Sequence, residues 1–202
     1  MRLPLPLLAL TGLACTGSFA IAQEAPQLFI SPMGEPFRVP AGQPYPSAAW
    51  FAQADADHDG VITRSEFRAD AARWFRLLDA NGDGRISDLE VQRYEYILAP
   101  EIVSATQDTA NYGLQTGADD SAYKHTSLSP IKQGASNFSF LDDPEPVRST
   151  DVQFNRKITQ DEFLAAADRR FALLLTSGET GLKLADLPHP PNQKTTPARK
   201  GK

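Results

Sequence analysis

The sequence predicts an all-α chain of two compact helix–loop–helix pairs, the second degenerate, with short β-bridges between loops. Three observations predict it. Two twelve-residue segments, DADHDGVITRSE from Asp55 and DANGDGRISDLE from Asp79, both fit the pattern D-x-[DN]-x-[DN]-G-x5-E. They recur with a period of 24 residues, which leaves only Phe67 to Leu78 between them. A weaker copy of the whole arrangement follows at an offset of 96 residues.

The short period requires one helix to serve as the exit of the first loop and the entrance of the second. Phe67, Ala71, Trp74, Phe75 and Leu78 stand at three- and four-residue spacings and give that helix a buried face. Ser47 can cap a short incoming helix, Ala48 to Ala54. Phe51 and Phe75 each stand four residues before a loop, with Trp50 and Trp74 beside them, and all four are expected in the core. A last helix should run from Leu89 to about Leu98 with Val91, Tyr94, Ile97 and Leu98 inward, stopped by Pro100. Ile62 and Ile86, at position 8 of each loop, are expected to pair across a backbone bridge and link the two loops mechanically.

The loop chemistry follows from the residue types. A hard cation takes six to eight oxygen donors at loosely constrained angles. Asp55, Asp57, Asp59 and Glu66 supply carboxylates in the first loop, with the Val61 carbonyl at position 7 and Thr63 at position 9. Asp79, Asn81, Asp83 and Glu90 do so in the second, with the Arg85 carbonyl and Ser87. Gly60 and Gly84 allow the reversal at position 6. Glu66 and Glu90 can chelate with both oxygens. Calcium suits such a flexible site, and two ions are expected. Magnesium prefers compact octahedral geometry and can substitute only when abundant, while lanthanides are accepted in vitro.

The second half keeps the framework and loses the donors. DVQFNRKITQDEF, Asp151 to Phe163, aligns Ile158 with Ile62, Thr159 with Thr63, Glu162 with Glu66 and Phe163 with Phe67. Ala167, Phe171 and Leu174 match Ala71, Phe75 and Leu78, and Val147 replaces Phe51. Leu182 falls on Ile86 and Asp186 on Glu90. The third loop has Gln153 at position 3 and Arg156 in place of glycine, which demands a strained backbone. The fourth begins with Leu175 and carries Ser177, Glu179 and Thr180 at positions 3, 5 and 6. Neither is expected to hold calcium tightly.

The remaining segments frame these pairs. Residues 1–22 read as an export signal: Arg2, an apolar run from Leu3 to Leu13, and Ala20-Ile21-Ala22 as a cleavage site. The run is too short and interrupted to span a bilayer. Cys15, the only cysteine, offers a lipid-anchored alternative. Residues 23–46 carry six prolines and read as an extended arm, with Leu28, Phe29, Ile30, Met33, Phe37 and Val39 lying partly along the domain. The first pair spans 47–100 and the degenerate pair 138–188. Residues 101–137 form a polar inter-lobe segment, with a short hairpin around Tyr112 to Tyr123. Residues 189–202 form a proline-rich basic tail, whose Lys194, Arg199, Lys200 and Lys202 can make weak contact with an anionic surface.

The net charge of −5 and the absence of a basic stripe argue against nucleic-acid binding. His58, His125 and His189 form no cluster, and no phosphate loop, zinc motif or nucleophile elbow is present. An enzyme is not expected.

The two loops mark the chain as similar to EF-hand proteins. Their short spacing, with FISPMGEPF near the N-terminus and LAPEI after the second loop, resembles small EF-hand proteins exported by alpha-proteobacteria. The spacing also gives a distant topological similarity to lanmodulin, a periplasmic lanthanide binder. That protein's loops carry proline at position 2 and aspartate at position 9, where this chain has Ala56 and Ala80, and Thr63 and Ser87. The resemblance implies a calcium-binding protein of the periplasm or exterior. With Met33 the only methionine after the leader, a constitutively loaded binding or buffering module is favoured. The alternative is a calcium sensor that recruits a partner protein through a calcium-dependent apolar face.

Overall fold

The computed structural model describes residues 26–103 and 132–193. The expected export signal, Cys15, the expected hairpin around Tyr112 to Tyr123, His125 and the basic residues of the tail lie outside the described residues.

The proline-rich arm folds as an antiparallel hairpin of β1 (Gln27–Ile30) and β2 (Pro36–Val39). Pro36 sits at the first residue of an edge strand, where its missing N–H interrupts no ladder. At the turn, Gly34 has φ 95°, and a Cβ there would lie 2.9 Å from the Tyr94 hydroxyl and 3.0 Å from Val147. Only glycine meets both the backbone and the space requirement. Phe29 and Ile30 are fully buried, and the Phe29 ring packs on Phe140, Trp50 and Tyr45 at centroid distances of 4.7, 5.9 and 6.2 Å. The arm therefore belongs to the core.

Helix α1 (Ser47–Ala54) begins at Ser47 itself, with Pro46 as the preceding cap residue, so Ser47 is a buried first-turn residue and makes no capping bond. β3 (Ile62–Thr63) leads into α2 (Arg64–Leu78), the helix shared by both loops. Its buried residues are Phe67, Ala71, Trp74, Phe75 and Leu78, the face read from the spacing. β4 (Arg85–Ser87) leads into α3 (Asp88–Arg93). Here the expected helix changes character, because Tyr94–Leu98 forms a π turn closed by the Ala99 N–H on the Tyr94 carbonyl at 2.8 Å. Tyr94 and Glu95 are buried, whereas Ile97 is 69% exposed. Pro100 then opens a further helical stretch, where its missing N–H is tolerated, and Ile102 is buried within it.

In the second half, β5 (Lys157–Thr159) precedes α4 (Gln160–Leu174), and β6 (Gly181–Leu182) follows. Helices α2 and α4 are equal in length and start at residues 96 apart, as the repeat requires. They pack antiparallel: Phe67 meets Phe171 with ring centroids 5.7 Å apart, and Phe75 meets Phe163 at 5.6 Å. Ala71 and Ala167, fully buried, stand midway between these contacts on their helices. Adding 96 to the number of each first-half residue exchanges one aromatic contact for the other, so the two halves are related by a local twofold axis.

That symmetry overturns the expected pairing of Ile62 with Ile86. Ile62 instead pairs with Leu182, and Ile86 with Ile158. The shared helix supplies the reason. Its 15 residues span about 22 Å and hold its two loops at opposite ends, out of reach of one another. The antiparallel partner helix presents the fourth loop to the first and the third to the second. Helix–loop–helix units with short loop-to-loop bridges are observed, but each bridge crosses from one half to the other. The buried residues of both halves form one continuous core.

Candidate metal centre

The first loop hangs between α1 and α2. Asp55 is buried, and its two oxygens accept the N–H groups of Asp59 and Gly60 at 3.2 and 3.0 Å. Asp57 accepts from Asp59 N–H at 3.2 Å, and Asp59 from Val61 N–H at 2.8 Å. These bonds curl the chain so that one carboxylate oxygen from each of Asp55, Asp57 and Asp59 lies within 4.8 Å of the others. Three like charges held this close favour a cation among them. The donors are all oxygen, as a hard divalent ion requires.

Glu66 closes the loop. Its Oε2 accepts the N–H and hydroxyl of Thr63 at 2.8 and 2.7 Å, and its Oε1 accepts the N–H groups of Ala56 and Asp57 at 3.0 and 3.4 Å. The Thr63 bonds form a capping box at the start of α2 and hold the Glu66 carboxyl below its usual range. Thr63 thus orients the position-12 carboxylate directly.

The second loop repeats this pattern bond for bond. Asp79 accepts from Asp83 and Gly84 at 3.1 and 2.9 Å, Asn81 from Asp83 at 2.9 Å, and Asp83 from Arg85 at 3.0 Å. The Asn81 amide donates to Asp83 at 3.3 Å, and this loop carries one carboxylate fewer than the first. Glu90 takes the Ser87 N–H and hydroxyl on Oε2, both at 2.8 Å, and the Ala80 and Asn81 N–H groups on Oε1 at 2.8 and 3.2 Å. Burial opposes ionisation of Glu90, but these bonds outweigh it and hold its carboxyl below the usual range. All twelve donor residues read from the sequence stand in their two loops: Asp55, Asp57, Asp59, Val61, Thr63 and Glu66, and Asp79, Asn81, Asp83, Arg85, Ser87 and Glu90.

The third loop keeps the same backbone with a poorer donor set. Asp151 accepts from Asn155 and Arg156 at 3.2 and 2.7 Å, and Thr159 boxes Glu162. Positions 4 and 6 take left-handed backbone in all three of these loops: His58 and Gly60 at φ 59° and 86°, Gly82 and Gly84 at 70° and 82°, Phe154 and Arg156 at 55° and 62°. Arg156 is therefore strained, as expected, while its side chain is exposed. Position 4 also explains His58, which serves the turn.

An EF-hand family model matches residues 48–69 and 71–93, the two segments that carry the intact loops. An EF-hand domain is present. Such domains are characteristically calcium-binding modules and not catalysts, which agrees with a non-enzymatic protein. No curated protein and no solved structure matches the chain. Among the described residues, no helix is long and apolar enough to cross a membrane.

Sequence reasoning missed a charged cluster joining the halves. Arg148 holds Glu95 at 3.0 and 3.2 Å and Asp88 at 3.1 Å, while buried Arg170 holds Asp143 at 2.7 Å and the Pro146 carbonyl at 2.8 Å. Burial, with the Glu95 carboxylate beside it, pushes Glu145 up to about 7. Arg170 replaces Trp74 in the repeat, and that break in an otherwise apolar face was the available signal.

Proposed function

We propose that the protein binds two calcium ions, one in Asp55 to Glu66 and one in Asp79 to Glu90, as a constitutively loaded binding or buffering module outside the cytoplasm. The observation that carries this reading is the convergence of Asp55, Asp57 and Asp59, with the same bonding pattern repeated in the second loop. Magnesium and lanthanides would substitute in vitro through the same oxygens. The N-terminal export pattern and the resemblance to exported alpha-proteobacterial EF-hand proteins support a periplasmic or secreted location, with cleavage after Ala22 and the Cys15 lipid anchor as the alternative. Bonds already ordering both loops support filling without a large rearrangement.

One observation favours the second reading, a sensor. Phe154 is 89% exposed and Val152 half exposed in the third loop, beside a groove of about 700 Å³ also lined by Arg148 and Arg156. That loop is bridged to the second calcium loop, so filling could alter this apolar surface. The basic tail adds weak contact with anionic surfaces, and no nucleic-acid partner is proposed.

Calorimetric titration with calcium, alongside a dye that reports exposed apolar surface, tests both readings. Two ions per chain with unchanged dye signal are expected. Glu66→Gln and Glu90→Gln should each weaken one site sharply, and Glu162→Gln should leave the count at two. Three or four tight ions would sink the account of the second half, and a calcium-dependent rise in dye binding would favour the sensor.

A further inference from the structure

The fourth loop has lost its donors, yet its strand β6 lies against the first calcium loop. Thr63 pairs with Gly181, and fully buried Ile62 pairs with Leu182. The approach at Gly181 is close: a Cβ there would stand 2.3 Å from Val61 Cγ1 and 3.1 Å from the Ile62 carbonyl oxygen. Its φ is not left-handed, so space alone demands glycine. The twofold-related position, Arg85 in the other bridge, carries a long side chain. The requirement is therefore particular to the bridge between the first and fourth loops and is not general to the repeat.

The residues that β6 touches bear on the ion site of the first loop. Val61 offers its carbonyl at position 7. Thr63 stands at position 9 and holds Glu66 through two bonds. The fourth loop needs no ion to keep its own shape: the Glu179 N–H bonds the Thr176 carbonyl at 3.0 Å, and Lys183 pairs with Glu179 at 3.1 Å. Helix α2 holds the second calcium loop about 22 Å away from this bridge.

Resting on the calcium reading above, we infer that Gly181 and Leu182 are positioning residues for the calcium site of the first loop: the donorless fourth loop sets the place of the Val61 carbonyl and of the Thr63–Glu66 pair. The fourth loop is a fixed strap across one ion site and leaves the other alone. The two sites are then tuned separately, each by a different degenerate loop.

The amide signals of Gly60 and Gly84, at position 6 of each loop, report the two sites separately in an NMR titration of the full chain with calcium. In Gly181→Ala, the added methyl displaces Val61, and the Gly60 signal should respond at about tenfold higher calcium while Gly84 is unchanged. Adding Val61→Ala to Gly181→Ala removes the clashing Cγ1 and keeps the backbone donor, so most of the loss should be recovered. A merely structural defect would move both signals and would not be rescued at this one atom. If Gly181→Ala does not fold, Leu182→Ala decides, since it loosens the same bridge without a clash and should weaken only the Gly60 site. Equal shifts of both sites, or none, in the folded variants would overturn the inference. If neither glycine responds to calcium in the unaltered chain, the calcium reading itself has failed.

Discussion

The crossed bridges can be tested energetically through Ile86 and Ile158. Both are buried to within 2% and face each other in the bridge between the second and third loops. Truncating either to alanine removes buried methyl groups and leaves a void in a core shared by both halves. Each change should destabilise the protein by about 2–5 kcal/mol. Because the two side chains touch the same space, their effects should not add. A coupling of about 1 kcal/mol is expected for directly opposed side chains on a bridge. The matching test pairs Ile62→Ala with Ile86→Ala. These residues lie at opposite ends of a helix about 22 Å long, so their effects should add within about 0.5 kcal/mol. Urea unfolding in the presence of a chelator, followed by circular dichroism, measures both cycles without contribution from bound metal. Coupling between Ile62 and Ile86, with additivity between Ile86 and Ile158, would refute the crossed arrangement and restore the pairing of adjacent loops.

Three further outcomes follow from single positions. Arg156→Gly should stabilise the chain by about 0.5–1 kcal/mol, because glycine relieves φ 62° while adding chain entropy to the unfolded state; a lower urea midpoint would show that the arginine side chain contributes more than the strain. Glu145 binds its proton more tightly in the folded chain, so its share of stability declines as pH rises from about 4.5 to about 7 and is level above that. Glu145→Gln should flatten this part of the profile relative to the unaltered protein, and an unchanged slope would place the ionisation elsewhere. Gly34→Ala should lower the thermal midpoint by several degrees, since its methyl meets the Tyr94 hydroxyl and Val147 at a left-handed position; a neutral result would mean that the hairpin turn moves freely.

The local features were legible because they depend on short-range spacing. The five buried residues of α2 follow from three- and four-residue intervals, and the bonding pattern shared by both loops follows a fixed twelve-residue order. The offset of 96 residues disclosed the second copy even where Gln153, Arg156 and Leu175 had erased the donors. The π turn at Tyr94–Leu98 was not legible, because a register change of one residue leaves no clear mark in an apolar pattern. Glu95 is buried and Ile97 faces outward, against the expected face.

The oxygen-rich loop composition, the shared helix and the duplication were determined by the sequence alone, since each is a matter of residue type and interval. Which loop faces which was decided only by the tertiary structure. A shared helix holds its own loops apart, and the twofold packing of α2 on α4 through Ala71 and Ala167 brings each intact loop to a degenerate partner from the other half. That choice depends on how two helices cross, which no spacing within either half records.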